Sequence, residues 1–133
     1  MTSTVGGLLV AAVGLTKTRF FLRTVGFART IRAMEALPRF WPKALGVNPL
    51  WAAEVDWAAS RFGGSCLDRS VFLWFMLRQR GLDPALRIGV ARDGDVIDAH
   101  AWVELNGAVV NDVPDIADHF AVFDEDPTHL AFR

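Results

Sequence analysis

The sequence has a single cysteine and no tyrosine among its 133 residues. One cysteine excludes a disulfide framework, and with it the small secreted proteins that depend on one. The three histidines lack paired metal-ligand spacing, and no glycine-rich loop with a lysine precedes a helix, so we expect neither a metal site nor a nucleotide cofactor. What the chain does have is 52% hydrophobic residues, enough for one domain with a single core.

Positive and negative charges are separated along the chain, although the formal net charge is only −1. Residues 1–50 carry seven Lys and Arg against Glu35 alone, a net +6, and residues 51–133 carry seven Arg against 14 Asp and Glu, a net −7. The basic residues of the first half are spread over 27 positions and form no run, which favours attraction between two halves of one fold over a nucleic-acid-binding arm. Arg69 and Arg87 are candidates either to bind a substrate or to form ion pairs with acidic residues, and the charge distribution favours ion pairs.

The first half of the chain has the periodicity of helices. Apolar residues recur at spacings of three and four over residues 8–37, although Gly14 and Gly26 weaken the case for one continuous helix. Pro38–Pro49 are predicted to form a connector, because a residue before proline avoids helical geometry. Pro49 is suited to open a second helix, Leu50–Arg61.

The apolar stretch Val5–Leu15 needs a separate interpretation. It has no basic residue before it, unlike a secretory signal peptide. Its eleven residues are fewer than the about 20 that cross a bilayer. We therefore expect a helix that is buried or covered by a partner, in a cytosolic protein without stable membrane insertion.

The second half changes from helical to alternating periodicity. Ser65 and Asp68 form a capping box at the start of a predicted helix, Cys66–Arg80, which Gly81 ends. Alternating runs then predict strands at Leu86–Val90, Val96–Leu105, Ala108–Val113 and, for a last short one, Phe120–Phe123. The fold class is therefore α+β: N-terminal helices, then a cysteine-bearing helix packed on an antiparallel sheet. We expect residues 1–133 to form a single domain, with a basic helical segment at 1–49 and the core at 50–133.

Three side chains in this layout could together perform nucleophilic catalysis. Cys66 is at the first position of a capped helix, where the helix dipole stabilises a thiolate, although a lone cysteine more often simply packs in a core. A nucleophilic cysteine needs a base, and the base needs a third group that holds its tautomer. His100 lies in the second predicted strand and Asp112 in the next, a papain-like order of parts.

Several sequence blocks in this order resemble a known family. They are Ser65-Cys66-Leu67-Asp68-Arg69-Ser70, Leu77-Arg78-Gln79-Arg80-Gly81-Leu82, Leu86-Arg87-Ile88-Gly89-Val90, Ala99-His100-Ala101-Trp102-Val103-Glu104 and Asn111-Asp112. Together they resemble the leader peptidases of lasso-peptide biosynthesis, which belong to the transglutaminase-like group of papain-like folds. The resemblance implies Cys66 as nucleophile, His100 as base and acid, and Asp112 as the orienting carboxylate. It also implies removal of the leader from a ribosomally made precursor, commonly after a leader segment with threonine next to its last residue.

The resemblance also implies partners. Some members carry a winged-helix leader-recognition domain, but residues 1–50 have helical and not strand patterns. We therefore expect the precursor peptide and a separate small leader-binding protein as partners, with the ATP-dependent cyclase that closes the macrolactam ring as a further candidate. Two other functions remain open, namely a non-catalytic peptide-binding module and an acyl transferase that uses the same three side chains.

The oxyanion hole is where the sequence departs from the wider papain-like pattern. Many such enzymes use an upstream glutamine, whereas Gln79 lies downstream of Cys66. The Cys66 backbone N–H is expected to supply one donor, and Trp57 is a candidate for the second.

The alternation of side chains between the two faces of a strand makes a specific prediction for the turn at Asn106-Gly107. With a two-residue loop, Leu105 would oppose Ala108 and Asp112 would point away from His100, since opposed residues share a face. A three-residue loop ending in a glycine bulge would instead place Asp112 opposite His100. We therefore predict the three-residue loop, with positive φ at Gly107.

Overall fold

A computed structural model describes residues 4–39 and 48–123 of the chain. The elements in chain order are α1 (Val5–Thr24), α2 (Phe27–Ala36), α3 (Pro49–Phe62), α4 (Cys66–Gln79), β1 (Ala85–Asp93), β2 (Val96–Leu105), β3 (Ala108–Val109), a 3-10 turn (Ile116–His119) and β4 (Ala121–Val122). The predicted α+β class is confirmed. Most of the predicted connector, residues 40–47, lies outside the described residues.

Helix α4 is the centre of the molecule. On one side it packs with α1 and α3 in a cluster of buried residues: Ala11, Leu15, Val55, Ala58, Ala59, Phe72 and Met76. On the other side it packs with α2 and the sheet in a second cluster: Ile31, Val71, Leu73, Trp74, Leu77, Leu86 and Val103. A helix that is apolar around most of its circumference is buried, and the packing of α4 on the sheet brings its N-terminus close to β2.

The helices begin and end largely where their local chemistry predicts. Asn48 accepts a hydrogen bond from the Leu50 N–H, and Pro49 occupies the first turn of α3 as expected. The helical region 8–37 is not continuous, because Gly26 has φ 93° and separates α1 from α2.

The apolar stretch Val5–Leu15 forms the first half of α1, which continues to Thr24 within the helical region predicted from periodicity. By length and composition alone α1 could cross a bilayer, a test that a core helix or a signal sequence also passes. The basic residues Lys17, Arg19 and Arg23 do not end the helix, since lysine and arginine are good helix formers. One face of α1 is occupied within the fold, because Ala11 and Leu15 belong to the first buried cluster.

The sheet has the strand order β3-β2-β1-β4, and all pairs are antiparallel. His100 of β2 is paired with Gly89 of β1, and Gly89 is paired in turn with Val122 of β4. Because opposed residues share a face, the missing side chain at Gly89 leaves room beside His100 on that face.

The turn after β2 differs from the prediction. Leu105 is paired with Ala108, so the loop has two residues, and Asn106 (φ 53°) and Gly107 (φ 81°) both adopt left-handed geometry. The predicted three-residue loop and its bulge are therefore wrong, although the positive φ at Gly107 is confirmed. Asn-Gly suits a two-residue turn whose twist matches that of the flanking strands. The predicted strand to Val113 is also too long, since β3 ends at Val109.

Candidate functional site

Cys66 is the first residue of α4, and a complete capping box holds it there. Ser65 Oγ accepts the Asp68 N–H at 3.1 Å, and Asp68 Oδ2 accepts the Ser65 N–H at 2.9 Å. Arg19 of the basic N-terminal half lies 3.9 Å from the same carboxylate. The box leaves the first-turn N–H groups of Cys66 and Leu67 without an acceptor inside the helix. These groups can receive a negative charge that develops beside the thiol.

His100 and Asp112 form a short hydrogen bond. His100 Nε2 lies 2.6 Å from Asp112 Oδ2, and each side chain is 24% exposed. The other carboxylate oxygen, Oδ1, accepts the Val113 N–H at 2.8 Å, which sets the orientation of the carboxylate. Because Nε2 faces Asp112, Nδ1 is the ring nitrogen that remains for proton exchange with a neighbouring group.

The three predicted site residues line one small cleft where the start of α4 meets β2. The residues around it are Asp56, Cys66, Arg69, Ser70, His100, Ala101, Asn111 and Asp112. The cleft has a volume of about 10 Å³, which is room for roughly one water molecule. The cleft is therefore too small to enclose a ligand.

Two aromatic rings pack beside the imidazole and against each other, with the Trp102 and Phe120 centroids 6.2 Å apart. The His100 ring is stacked on Phe120 with centroids 5.2 Å apart, and on Trp102 with centroids 6.1 Å apart. Phe120 can approach because Gly89 has no side chain: a Cβ there would lie 2.7 Å from the Phe120 Cβ. The Trp102 indole N–H donates to Glu104 Oε2 at 2.9 Å. The sequence offered no signal for Phe120, because it reaches the site only through the β1–β4 pairing.

The charged residues near the cleft form pairs. Arg69 Nη1 lies 3.3 Å from Asp56 Oδ1, and Arg87 lies 3.6 Å from Glu104, so the pairing predicted for both arginines is confirmed. Burial raises the pKa of Asp56, the Arg69 guanidinium opposes that shift, and the negative charge of Asp112 adds to it. Asp56 on α3 is therefore a second carboxylate within electrostatic reach of the His100–Asp112 pair.

Trp57 does not reach the cleft. Its ring packs edge-to-face on Phe62 at 6.1 Å and lies under the Arg61 guanidinium. The candidate second oxyanion donor from the sequence is therefore wrong, because α3 directs Asp56, the preceding residue, toward the cleft.

Sequence reasoning assigned no role to two polar residues of the cleft, Ser70 and Asn111, although both lie in the sequence blocks that carry the family resemblance. Asn111 Oδ1 accepts the Val103 N–H at 2.8 Å, and Asn111 Nδ2 donates to Ser70 Oγ at 3.1 Å. Ser70 Oγ donates in turn to the Ala101 carbonyl at 3.0 Å. Helical spacing could have revealed Ser70, which lies four residues after Cys66 and hence on the same helix face. Within residues 4–39 and 48–123, no cluster of three or more His, Cys, Asp and Glu is arranged to hold a metal ion.

Comparison with known proteins finds two similarities. A model of the transglutaminase-like superfamily matches residues 12–124. The microcin J25-processing protein McjB of Escherichia coli is 38% identical over 64 residues, which cover 48% of this chain and 30% of McjB. The match therefore spans less than a third of that relative. No solved structure matches the chain.

Proposed function

The chain belongs to the transglutaminase-like superfamily, and from that premise we propose that it is a cysteine endopeptidase of lasso-peptide biosynthesis that removes the leader from the ribosomally made precursor. The observation that carries this proposal is the placement of Cys66, at a helix N-terminus, in one cleft with the hydrogen-bonded pair His100–Asp112. The partial similarity to McjB, whose name describes it as a processing protein, supports the substrate class.

In the proposed reaction, the Cys66 thiol transfers its proton to His100 Nδ1 and the sulfur attacks the carbonyl carbon of the scissile peptide bond. Asp112 keeps the imidazole oriented and stabilises the imidazolium that forms. The first-turn N–H groups of α4 stabilise the oxyanion of the tetrahedral intermediate. The imidazolium then protonates the leaving amine, and the core peptide departs with a free α-amino group.

The remaining thioester carries the leader. Water gives a proton to His100 and attacks the thioester carbonyl, the C–S bond breaks, and the leader leaves with a carboxylate while the thiol is restored. The α-amine released in the first half is the nucleophile from which a separate cyclase forms a macrolactam. Because the thiol has to stay reduced and the precursor is a ribosomal product, we place this activity in the cytoplasm.

For the partner, we propose that a separate leader-recognition protein binds between α1, α2 and α4, away from the cleft. An open apolar groove of about 400 Å³ lies there, and its apolar lining includes Phe21, Val25, Met34, Leu37, Phe72 and Phe75. The charged residues among the described lining are Lys17 and Arg29. An apolar groove with two cations is complementary to an apolar segment that carries acidic residues, and we assign that segment to the leader-recognition protein.

Acyl transfer to an amine is the second candidate, because the matched superfamily is named for transglutaminases, which transfer acyl groups to amines. The two reactions share the thioester and differ only in whether water or an amine attacks it. A third function, the non-catalytic peptide-binding module, would bind the precursor and leave its covalent bonds intact.

Mass spectrometry of one substrate distinguishes these functions. A synthetic precursor with threonine at the penultimate leader position is incubated with the protein and a primary amine, with and without the leader-recognition protein. We expect two peptides whose masses sum to that of the precursor plus water. An amine adduct on the leader would instead establish the transferase, and an unchanged precursor in every combination would contradict both reactions.

A further inference from the structure

We propose that Ser70 and Asn111 are positioning residues that place the His100–Asp112 pair relative to Cys66. The inference deepens the proposed peptidase function and rests on it for its kinetic consequence. Its structural part concerns the free protein and can be tested without a substrate.

The first step is the position that the two-residue turn would impose on Asp112. Leu105 is paired with Ala108, and Glu104 with Val109. If this register continued, Asp112 would oppose Ala101 and would lie on the face away from His100. The chain must therefore leave the ladder before Asp112 for the 2.6 Å contact to form.

Asn111 is the residue at which the chain leaves the ladder. The Val110 N–H still donates to the Val103 carbonyl at 3.0 Å, as in a continuing strand. The Val103 N–H, however, donates to the side chain of Asn111, at 2.8 Å, and not to a strand carbonyl. An amide side chain thus satisfies the backbone donor and releases the main chain to turn, which carries Asp112 to the His100 side.

Ser70 connects this departure to the helix that carries the thiol. Its hydroxyl is buried, at 1% residue exposure, and it accepts from Asn111 Nδ2 while it donates to the Ala101 carbonyl. The three hydrogen bonds run in one direction: the Val103 N–H donates to Asn111, Asn111 donates to Ser70, and Ser70 donates to the Ala101 carbonyl. A satisfied network of this kind, buried at Ser70 and half-buried at Asn111, favours one geometry, because a member left unpaired costs desolvation energy.

The network therefore joins the three segments that carry the proposed catalytic residues. Ser70 is one helical turn after Cys66, and the two bonded strand positions, Ala101 and Val103, follow His100. Asn111 directly precedes Asp112. None of the bonded atoms belongs to the proposed triad, so the network acts by position and not by chemistry.

Nuclear magnetic resonance of the free protein tests the placement. The hydrogen-bonded Nε2 proton of His100 should give a signal far downfield of the amide region, assigned by its loss in His100→Gln. We expect Asn111→Ala and Ser70→Ala to weaken or abolish this signal while the near-ultraviolet circular dichroism stays native. The matched controls are Asn106→Gly in the same hairpin and Ser60→Ala, an exposed helix serine whose hydroxyl donates to the Trp57 carbonyl at 2.9 Å. Both controls should retain the signal.

Kinetics on the precursor tests the consequence. Misplacement of a catalytic group by about 1 Å can cost roughly 100-fold, so we expect kcat to fall about 10- to 100-fold in Asn111→Ala with little change in KM. Asn111→Asp keeps the acceptor for the Val103 N–H and should restore part of the rate. If Asn111→Ala does not fold, Ser70→Ala, which removes the hydroxyl that holds Asn111, tests the loss, and Asn111→Asp should again show a smaller effect.

A retained His100 signal in both Ser70→Ala and Asn111→Ala would overturn the inference, as would equal loss in the controls. If the wild-type protein cleaves no precursor but the signal responds as expected, the proposed function fails and the positioning role stands. If the wild-type protein cleaves the precursor but the His100 signal is unchanged in Ser70→Ala and Asn111→Ala, the proposed function stands and the positioning role fails.

Discussion

At the scale of single residues, the proposed chemistry depends first on Cys66. Replacement of Cys66 by alanine should abolish precursor cleavage, with a loss on the order of 10⁶-fold as for other deleted nucleophiles. The thermal transition should stay within a few degrees of wild type, because a first-turn helix position tolerates alanine. Mass spectrometry and a melting curve check the two halves of this prediction, and full proteolysis by Cys66→Ala would show that another residue is the nucleophile.

The His100–Asp112 pair should respond unequally to substitution. His100→Ala should be about as damaging as loss of the cysteine, since members of a triad act as one unit. Asp112→Asn should be milder, because an amide oxygen can still accept the Nε2 proton and hold the ring, as in Cys-His-Asn sites of papain-like proteases. The rates of precursor cleavage by the two variants, each compared with wild type, measure this difference. An equal and complete loss in Asp112→Asn would mean that the negative charge matters more than the orientation.

At the scale of elements, the contact between α1 and α3 contains a buried carboxylate. Glu54 of α3 is 9% exposed and its carboxylate lies against Gly7 of α1. Burial raises the pKa of Glu54 in the folded state. A raised folded-state pKa means that folding is favoured while the group is protonated, and that this contribution is lost as the pH rises through the folded-state pKa.

Glu54→Gln should therefore stabilise the protein at neutral pH and have little effect in mild acid. The difference in melting temperature between the variant and wild type should grow as the pH increases above the usual range for a glutamate. Glu35→Gln, an exposed position on α2, is the matched control and should show no such trend. A difference that is constant with pH would contradict a role for ionisation.

At the scale of the whole molecule, we propose that residues 1–133 form one domain rather than a core with a separable N-terminal segment. Ala11 and Leu15 of α1 share a buried cluster with Val55 of α3 and Phe72 of α4. Helices that share a core unfold together. Urea unfolding followed by tryptophan fluorescence and by far-ultraviolet circular dichroism should give one coincident transition, whereas two separated transitions would support an independent segment at 1–49.

The partner groove gives a second whole-molecule prediction. The double reversal Lys17→Glu and Arg29→Glu should reduce the acceleration of cleavage by the leader-recognition protein about tenfold, because it replaces attraction of acidic residues by repulsion. The rate without the partner should not change, since the groove and the cleft share no lining residue. Arg92→Glu, an exposed charge reversal at the β1–β2 hairpin, is the control.

Two outcomes would count against this assignment of the groove. The first is partner-dependent acceleration that is unaffected by the double reversal. The second is binding of the wild-type protein to phosphatidylglycerol vesicles that the reversal removes while acceleration persists, since α1 is also long and apolar enough for a bilayer.

Much of the local structure was predictable because it depends on neighbours in sequence. The capping box at Ser65 and Asp68, the first-turn position of Pro49 and the break at Gly26 all follow from backbone chemistry within a few residues. Helical periodicity over residues 8–37 likewise extended beyond the apolar stretch, and α1 continues past its basic residues because lysine and arginine are good helix formers. The order of Cys66, His100 and Asp112 indicated a candidate site without fixing its geometry.

The sequence by itself determined the fold class, the helix that begins at Cys66 and the choice of candidate residues, since each depends on periodicity or on a short motif. Only the tertiary structure decided how Asp112 reaches His100. Strand parity predicted the wrong turn because it assumed that pairing continues from Asn106-Gly107 to Asp112. In the folded protein the Asn111 side chain ends the pairing by satisfying the Val103 N–H, and Ser70 holds that side chain. A hydrogen bond between residues 41 positions apart leaves no periodic trace in the sequence.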